Sequence, residues 1–69
     1  MVVVDSSNIA ALGYDLESKI LTVTFLKGDT YKYEDVPHDV ALQLVFADSV
    51  GSYFSKNVRD KYQTWKAVN

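Results

Sequence analysis

The clearest alternation of apolar and polar positions lies between residues 19 and 26. Leu21, Val23 and Phe25 alternate there with two threonines. This period of two is typical of an antiparallel strand with one face buried. The pattern predicts a β-strand over residues 19–26.

Weaker strand signals precede it. The segment 9–14 predicts a partner strand, and strict alternation puts Ala10, Leu12 and Tyr14 on its apolar face. Residues 2–4 are β-branched and predict a short edge strand at the amino terminus. Turn-forming residues at 15–18 connect the two longer strands.

The third strand is predicted at residues 30–33, where Tyr31 and Tyr33 flank Lys32. A three-residue loop that ends in Gly28 as a G1 bulge would pair Val23 with Tyr31. Both tyrosines would then lie on the apolar face, with Lys32 outside.

A two-residue loop at Gly28-Asp29 would give the opposite result. It would pair Leu26 with Tyr31 and turn both tyrosine rings towards solvent, because a one-residue slip moves every side chain to the other face. We favour the bulged loop, since it gathers the large apolar side chains on one side of the sheet.

Two helices are predicted after the meander. The first begins with Pro37 at its first helical position and Asp39 in its first turn. Its apolar residues cover more than one face: Val40, Ala41, Leu42, Leu44, Val45, Phe46 and Ala47. We expect a second helix or another copy of the chain to cover the excess.

The second helix is predicted to begin after a cap at Asp48-Ser49 and to continue to about residue 61. Gly51, in its first turns, either separates two turns or allows a close approach by backbone or ligand. The tail from residue 63 is expected to be extended, with Trp65 covering part of the core.

These elements predict one α+β domain over residues 1–69, a three-stranded antiparallel meander packed by two carboxyl-terminal helices in the order β-β-β-α-α. A chain of 69 residues is near the lower limit for independent folding. The absence of cysteine leaves the redox compartment undetermined. The apolar start of the sequence has neither the length nor the flanking charges of a signal peptide or membrane span. We therefore expect a cytoplasmic protein.

The net charge of −2 is unevenly distributed. Residues 1–48 carry three lysines and eight acidic residues, whereas residues 49–69 carry four basic residues and one aspartate. The basic last third either contacts phosphates or forms a solvated helix face beside acidic strands.

The sequence lacks the residues that most enzyme mechanisms require. His38 is the only histidine, and the sequence does not provide a convincing set of metal ligands or a nucleophile motif. The three glycines are isolated, so no phosphate-binding loop is predicted. We expect no catalytic residues, no metal and no cofactor.

Interleaved aromatic and basic side chains remain as a candidate nucleic-acid surface. Exposed rings stack on bases and cations bind the phosphate backbone. The candidate binding residues are Lys32, Tyr33, Tyr53, Lys56, Arg59, Lys61 and Trp65. Aromatic rings are also needed to build the core. Phe54 is predicted to lie in the core, and Tyr31 and Tyr33 also fit there.

The order of several short motifs resembles the KTSC domain, a module found at the carboxyl terminus of some lysyl-tRNA synthetases and as stand-alone bacterial and phage proteins. In the first half the similar residues are Ile9–Asp15, Leu21–Phe25, Gly28, Tyr31–Tyr33 and Val36-Pro37. In the second half they are Val40, Leu44, Ala47, Ser49, Gly51, Tyr53-Phe54, Val58-Arg59 and Tyr62. The resemblance carries no established catalytic activity and implies an RNA-binding module.

Two positions depart from the family pattern. Ala41 stands where an aromatic residue is usual, and Val50 stands where lysine is common. The missing cation weakens the nucleic-acid hypothesis, and the added apolar residue favours a protein partner. Two partner hypotheses therefore stand side by side: RNA or a nucleotide, and a protein partner or homodimer. Neither involves a membrane.

Overall fold

The computed structural model describes residues 2–3 and 8–67 and shows an α+β fold with one antiparallel sheet. Five strands lie in the order β1-β2-β3-β4-β5. The elements along the chain are β1 (Val2–Val3), β2 (Ile9–Asp15), β3 (Ile20–Phe25), β4 (Thr30–Tyr33), α1 (His38–Val45), α2 (Val50–Asn57) and β5 (Thr64–Lys66). The predicted three-stranded meander is its centre, and the strand at Thr64–Lys66 is the one that was not predicted.

The β3–β4 hairpin has the register of the bulged loop. Leu21 pairs with Tyr33 and Val23 pairs with Tyr31. The Phe25 amide donates to Asp29 O at 2.8 Å, and Gly28 has a φ of +104°. Both tyrosines therefore lie on the core face of the sheet, as predicted, and Lys32 lies on the opposite face.

A β-bulge in β2 changes the side chains that reach the core. The register between β2 and β3 shifts between Ile9 and Ala11, so Ile9 pairs with Phe25. Ile9 and Leu12 are thus fully buried, whereas Ala10 is only half-buried. Leu12 and Tyr14 lie on the core face as predicted, but the placement of Ala10 there was wrong, because strict alternation cannot anticipate an extra residue in a strand.

Both edges of the sheet are short. At one edge, β1 confirms the amino-terminal strand at Val2–Val3, while Val4 lies outside the described residues. At the other edge, β5 pairs antiparallel with β4 through Lys32 and Trp65. The tail is extended as predicted, but it extends the sheet instead of covering the core.

Both helices lie against the core face of the sheet, and their ends differ in part from the predicted ones. Pro37 is the N-cap of α1 and not its first helical residue. Ser49 caps α2 as predicted, since its hydroxyl accepts the Ser52 amide at 3.3 Å. The second helix ends at Asn57, earlier than the predicted residue 61.

The core forms where α1 and α2 meet the sheet. Its fully buried side chains are Ile9, Leu12, Leu21, Val23, Val36, Leu44 and Val58. Leu42 on α1 and Phe46, the C-cap residue that follows the helix, remain 58% and 79% exposed. The second helix therefore covers only part of the apolar surface that the sequence places on α1.

Candidate nucleic-acid interface

The face of the sheet opposite the helices carries a polar row that ends in a tryptophan. The register aligns Gly13 with Thr22, Thr22 with Lys32 and Lys32 with Trp65. The Lys32 ammonium donates to Thr22 Oγ1 at 3.0 Å, and Trp65 is 41% exposed. We call these four residues the outer row.

Local hydrogen bonds hold the outer row in place. Thr64, the neighbour of Trp65, donates its hydroxyl to the Lys32 carbonyl at 2.8 Å. The hydroxyls of Thr24 and Thr30, one row further along the same face, lie 3.2 Å apart. These two rows contain hydroxyls, one cation and one indole, and no acidic side chain.

Acidic groups occupy one end of the same face. Asp15 is the last residue of β2, and its carboxylate accepts the amides of Glu17 and Ser18. These two hydrogen bonds lower the pKa of Asp15, so the group is ionised at neutral pH. A polyanion on the outer row is therefore repelled at the β2–β3 turn.

Tyr33 does not belong to an exposed surface. Its ring is 6% exposed and packs edge-on against Phe54, with ring centroids 5.6 Å apart. Burial raises the pKa of its hydroxyl. The prediction that Tyr33 stacks on a base is therefore corrected, since its ring faces are within the core.

The other predicted residues lie away from the outer row, on α2 and just after it. Tyr53 is half-buried and donates its hydroxyl to Gln43 of α1 at 3.0 Å. Lys56, Arg59 and Lys61 are exposed. The structure therefore divides the candidate residues into a sheet group, Lys32 and Trp65, and a helix group.

A cleft of about 680 Å³ lies on the helix side of the sheet, between the β3–β4 hairpin and α2. Arg59 is the one predicted cation that lines it, beside Tyr31 and Thr64. Neither Lys56 nor Lys61 lines this cleft. Neither residue lines the hollow on the opposite face of the sheet, beside the β2–β3 turn and Lys32.

No cluster of three or more histidine, cysteine or acidic side chains in the described part of the chain could hold a metal ion. Across residues 2–3 and 8–67, no helix has the length and apolarity to span a bilayer. His38 is exposed, and its Nε2 lies 3.1 Å from the Leu16 carbonyl.

The pairing of Lys32 with Trp65 is what sequence reasoning missed. Both residues are candidates in the sequence, but the tail is predicted only to be extended with Trp65 covering part of the core, and no strand is predicted at 64–66. A three-residue strand is too short to show a period of two. The only local signal is the alternation of Trp65 with the polar residues Thr64 and Lys66.

Comparisons with known proteins agree with the fold and cover nearly the whole chain. The KTSC domain model matches residues 5–62. The chain is 41% identical to an uncharacterized protein of Stutzerimonas stutzeri over 66 residues, which cover 94% of this chain and 93% of the relative. It is 38% identical over 60 residues to a protein of Tsukamurella paurometabola, covering 87% and 90% of the two chains.

A solved structure has the same architecture. The crystal structure of a KTSC domain protein from Yersinia pestis superimposes with a TM-score of 0.90 at 31% identity, over 96% of this chain and 93% of that chain. Sequence and structure thus agree over almost the same residues. The chain belongs to the KTSC domain family.

Proposed function

We propose that this protein is a small non-catalytic module that binds single-stranded RNA on the outer face of its sheet. The observation that carries the proposal is the exposed Trp65 directly across from Lys32. Directly paired residues on adjacent strands have Cβ atoms about 5 Å apart. A base and its own phosphate can therefore contact both side chains at once.

The chemistry of the outer row suits a single strand better than a duplex. Base stacking on an aromatic ring contributes about 1–3 kcal/mol and does not depend on base identity. The Lys32 ammonium neutralises a phosphate, and the hydroxyls of Thr24 and Thr30 can donate to phosphate or ribose oxygens. Unpaired bases are required, because a base within a duplex has no free face for the indole.

The charge distribution limits the strength of this binding. The net charge is −2, and Lys32 is the only cation in the outer row. Single-stranded binding weakens with salt by a logarithmic slope of about −0.7 for each phosphate neutralised. With one or two phosphate contacts, we expect a slope of about −0.7 to −1.4.

The test is a titration of fluorescently labelled octauridylate at two salt concentrations. Lys32→Gln is expected to weaken binding and to flatten the salt dependence, because it removes the phosphate contact on the outer row. Lys56→Gln makes the same chemical change on exposed α2 and is expected to leave both quantities unchanged.

Two results would contradict this assignment. Loss of binding in Lys56→Gln with normal binding in Lys32→Gln would move the interface to the helix group. No binding by the wild-type protein at low salt would exclude the proposed RNA function altogether.

A second candidate function is supported by Leu42 and Phe46. Phe46 is the C-cap of α1, and its amide donates to the Leu42 carbonyl at 3.1 Å, so the two residues lie one turn apart; they are 79% and 58% exposed. Exposed apolar patches mark protein contacts more often than isolated apolar residues do. The alternative is therefore a protein-interaction or self-associating domain that uses α1.

A further inference from the structure

The cleft on the helix side of the sheet has the size of a small-molecule site. Its volume of about 680 Å³ lies within the range of about 300–1,000 Å³ that is usual for ligand pockets. One wall is the core face of the β3–β4 hairpin, and the other is α2. The cleft reaches β5 at Thr64, whose neighbour Trp65 belongs to the outer row.

Aromatic rings form the hairpin side of the cleft. Phe25 and Tyr31 are half-buried, and their rings meet edge-to-face with centroids 5.9 Å apart. The ring of Phe54, from α2, meets the ring of Phe25 edge-to-face, with centroids 5.7 Å apart. These contacts fix the orientation of rings that still have surface open to the cleft.

Small side chains form the facing wall. Gly51 and Ser55 both line the cleft, and they are one helical turn apart on the same side of α2. A larger side chain at either position would project into the space between helix and hairpin. The space therefore depends on residues that contribute little packing of their own.

A cation stands at the end of this wall. Arg59 lines the cleft just beyond α2, and no ion pair between described residues includes its guanidinium. Asp29, on the opposite rim, is already paired with Lys66 at 3.2 Å. The carboxylate of Asp60 and the hydroxyls of Ser55 and Thr64 also line the cleft.

We propose that this cleft binds one nucleotide, with its base against Phe25 and Tyr31 and its phosphate on Arg59. A purely apolar acid would use only the rings and Arg59, and would make no contact with the exposed polar side chains of Ser55 and Asp60 that also line the cleft. A nucleobase has a flat apolar face for the rings and donors and acceptors at its edge for those polar groups. An arginine fork also matches phosphate geometry.

This inference rests on the proposed function, because the nucleotide is one unit of the bound single strand. The strand passes from Trp65 on the outer face around the edge strand β5 to the cleft. β5 is the edge strand, and its adjacent residues Thr64 and Trp65 face the cleft and the outer row, so only the width of one strand, about 5 Å, separates the two sites.

The first test blocks the cleft. Ser55→Leu places a large side chain in it from an exposed helical position, and Ser52→Leu makes the same change on the same helix outside the cleft. Ser55→Leu is expected to weaken octauridylate binding about tenfold, the effect of losing one stacked base. Ser52→Leu is expected to bind like the wild type, and equal affinities of the two variants would overturn the proposal.

The second test uses the wild-type protein and is independent of any folding defect in a variant. In a ¹H–¹⁵N correlation spectrum titrated with octauridylate, the amides of Gly51 and Ser55 and the indole of Trp65 are expected to shift together. A shift of the indole alone would overturn the cleft site and leave the outer face intact. A shift of the two amides alone would support the cleft and overturn the outer face, and no shift would overturn both.

Discussion

Gly28 decides which side chains the sheet presents to solvent. Its φ of +104° closes the three-residue loop and sets the pairing of Val23 with Tyr31. The other register would exchange the two faces of β4, which would expose the tyrosines and bury Lys32. The chemistry of the outer row therefore depends on one backbone conformation that other residues rarely adopt.

Gly28→Ala tests this dependence. A Cβ at Gly28 would have no heavy atom within 4 Å, so steric contact contributes nothing and the cost comes from the backbone alone. We expect the variant to lose about 1–3 kcal/mol of unfolding free energy in urea denaturation. Lys27→Ala, in the same exposed loop, is expected to change it by less than about 0.5 kcal/mol. Equal stability of Gly28→Ala and the wild type would show that the bulged loop does not require glycine.

At the scale of elements, β5 does most to define the candidate interface. It brings Trp65 beside Lys32, a residue that precedes it by more than thirty positions. Its pairing partner in the sheet is β4. Local patterning can predict the hairpin, because its signals lie within a few residues, but it has no means of pairing so distant a strand.

The same reasoning explains the errors in β2 and the helices. The bulge near Ala10 adds one residue without any glycine or proline to mark it. The predicted carboxyl end of α2 is too late, because the apolar pattern extends past the end of the helix through Val58 and Tyr62. Both residues pack against or within the core from the turn that follows.

The proposed alternative function, self-association, would use Leu42 on α1 and Phe46 at its C-cap, and this exposed pair is open to a direct test. If α1 mediates self-association, sedimentation of the wild type at increasing concentration should show a dimer, because Leu42 and Phe46 would be buried against a second copy. The double variant Leu42→Lys, Phe46→Lys should then be monomeric. Leu26→Lys alters another leucine, 60% exposed on the hairpin loop, and should leave the dimer intact. A wild type that stays monomeric at millimolar concentration would contradict self-association.

At the scale of the whole molecule, the outer row and the cleft lie on opposite faces of one sheet. The fold class, the central meander, the hairpin register and the family were predicted from the sequence. The candidate interface was predicted as seven individual residues without their grouping, and the structure places them in different parts of the molecule. Tyr33 is in the core, Lys32 and Trp65 share the outer row, and Arg59 lines the cleft.

The most direct test of the central proposal is the intrinsic fluorescence of Trp65. It is the only tryptophan in the chain, so the signal comes from one position on the outer row. Stacking of a base on the indole should quench the emission as unlabelled octauridylate is added at low salt, and Lys32→Gln should shift this titration to higher RNA concentration. Emission that stays unchanged while a labelled strand is bound under the same conditions would show that RNA does not contact the outer row.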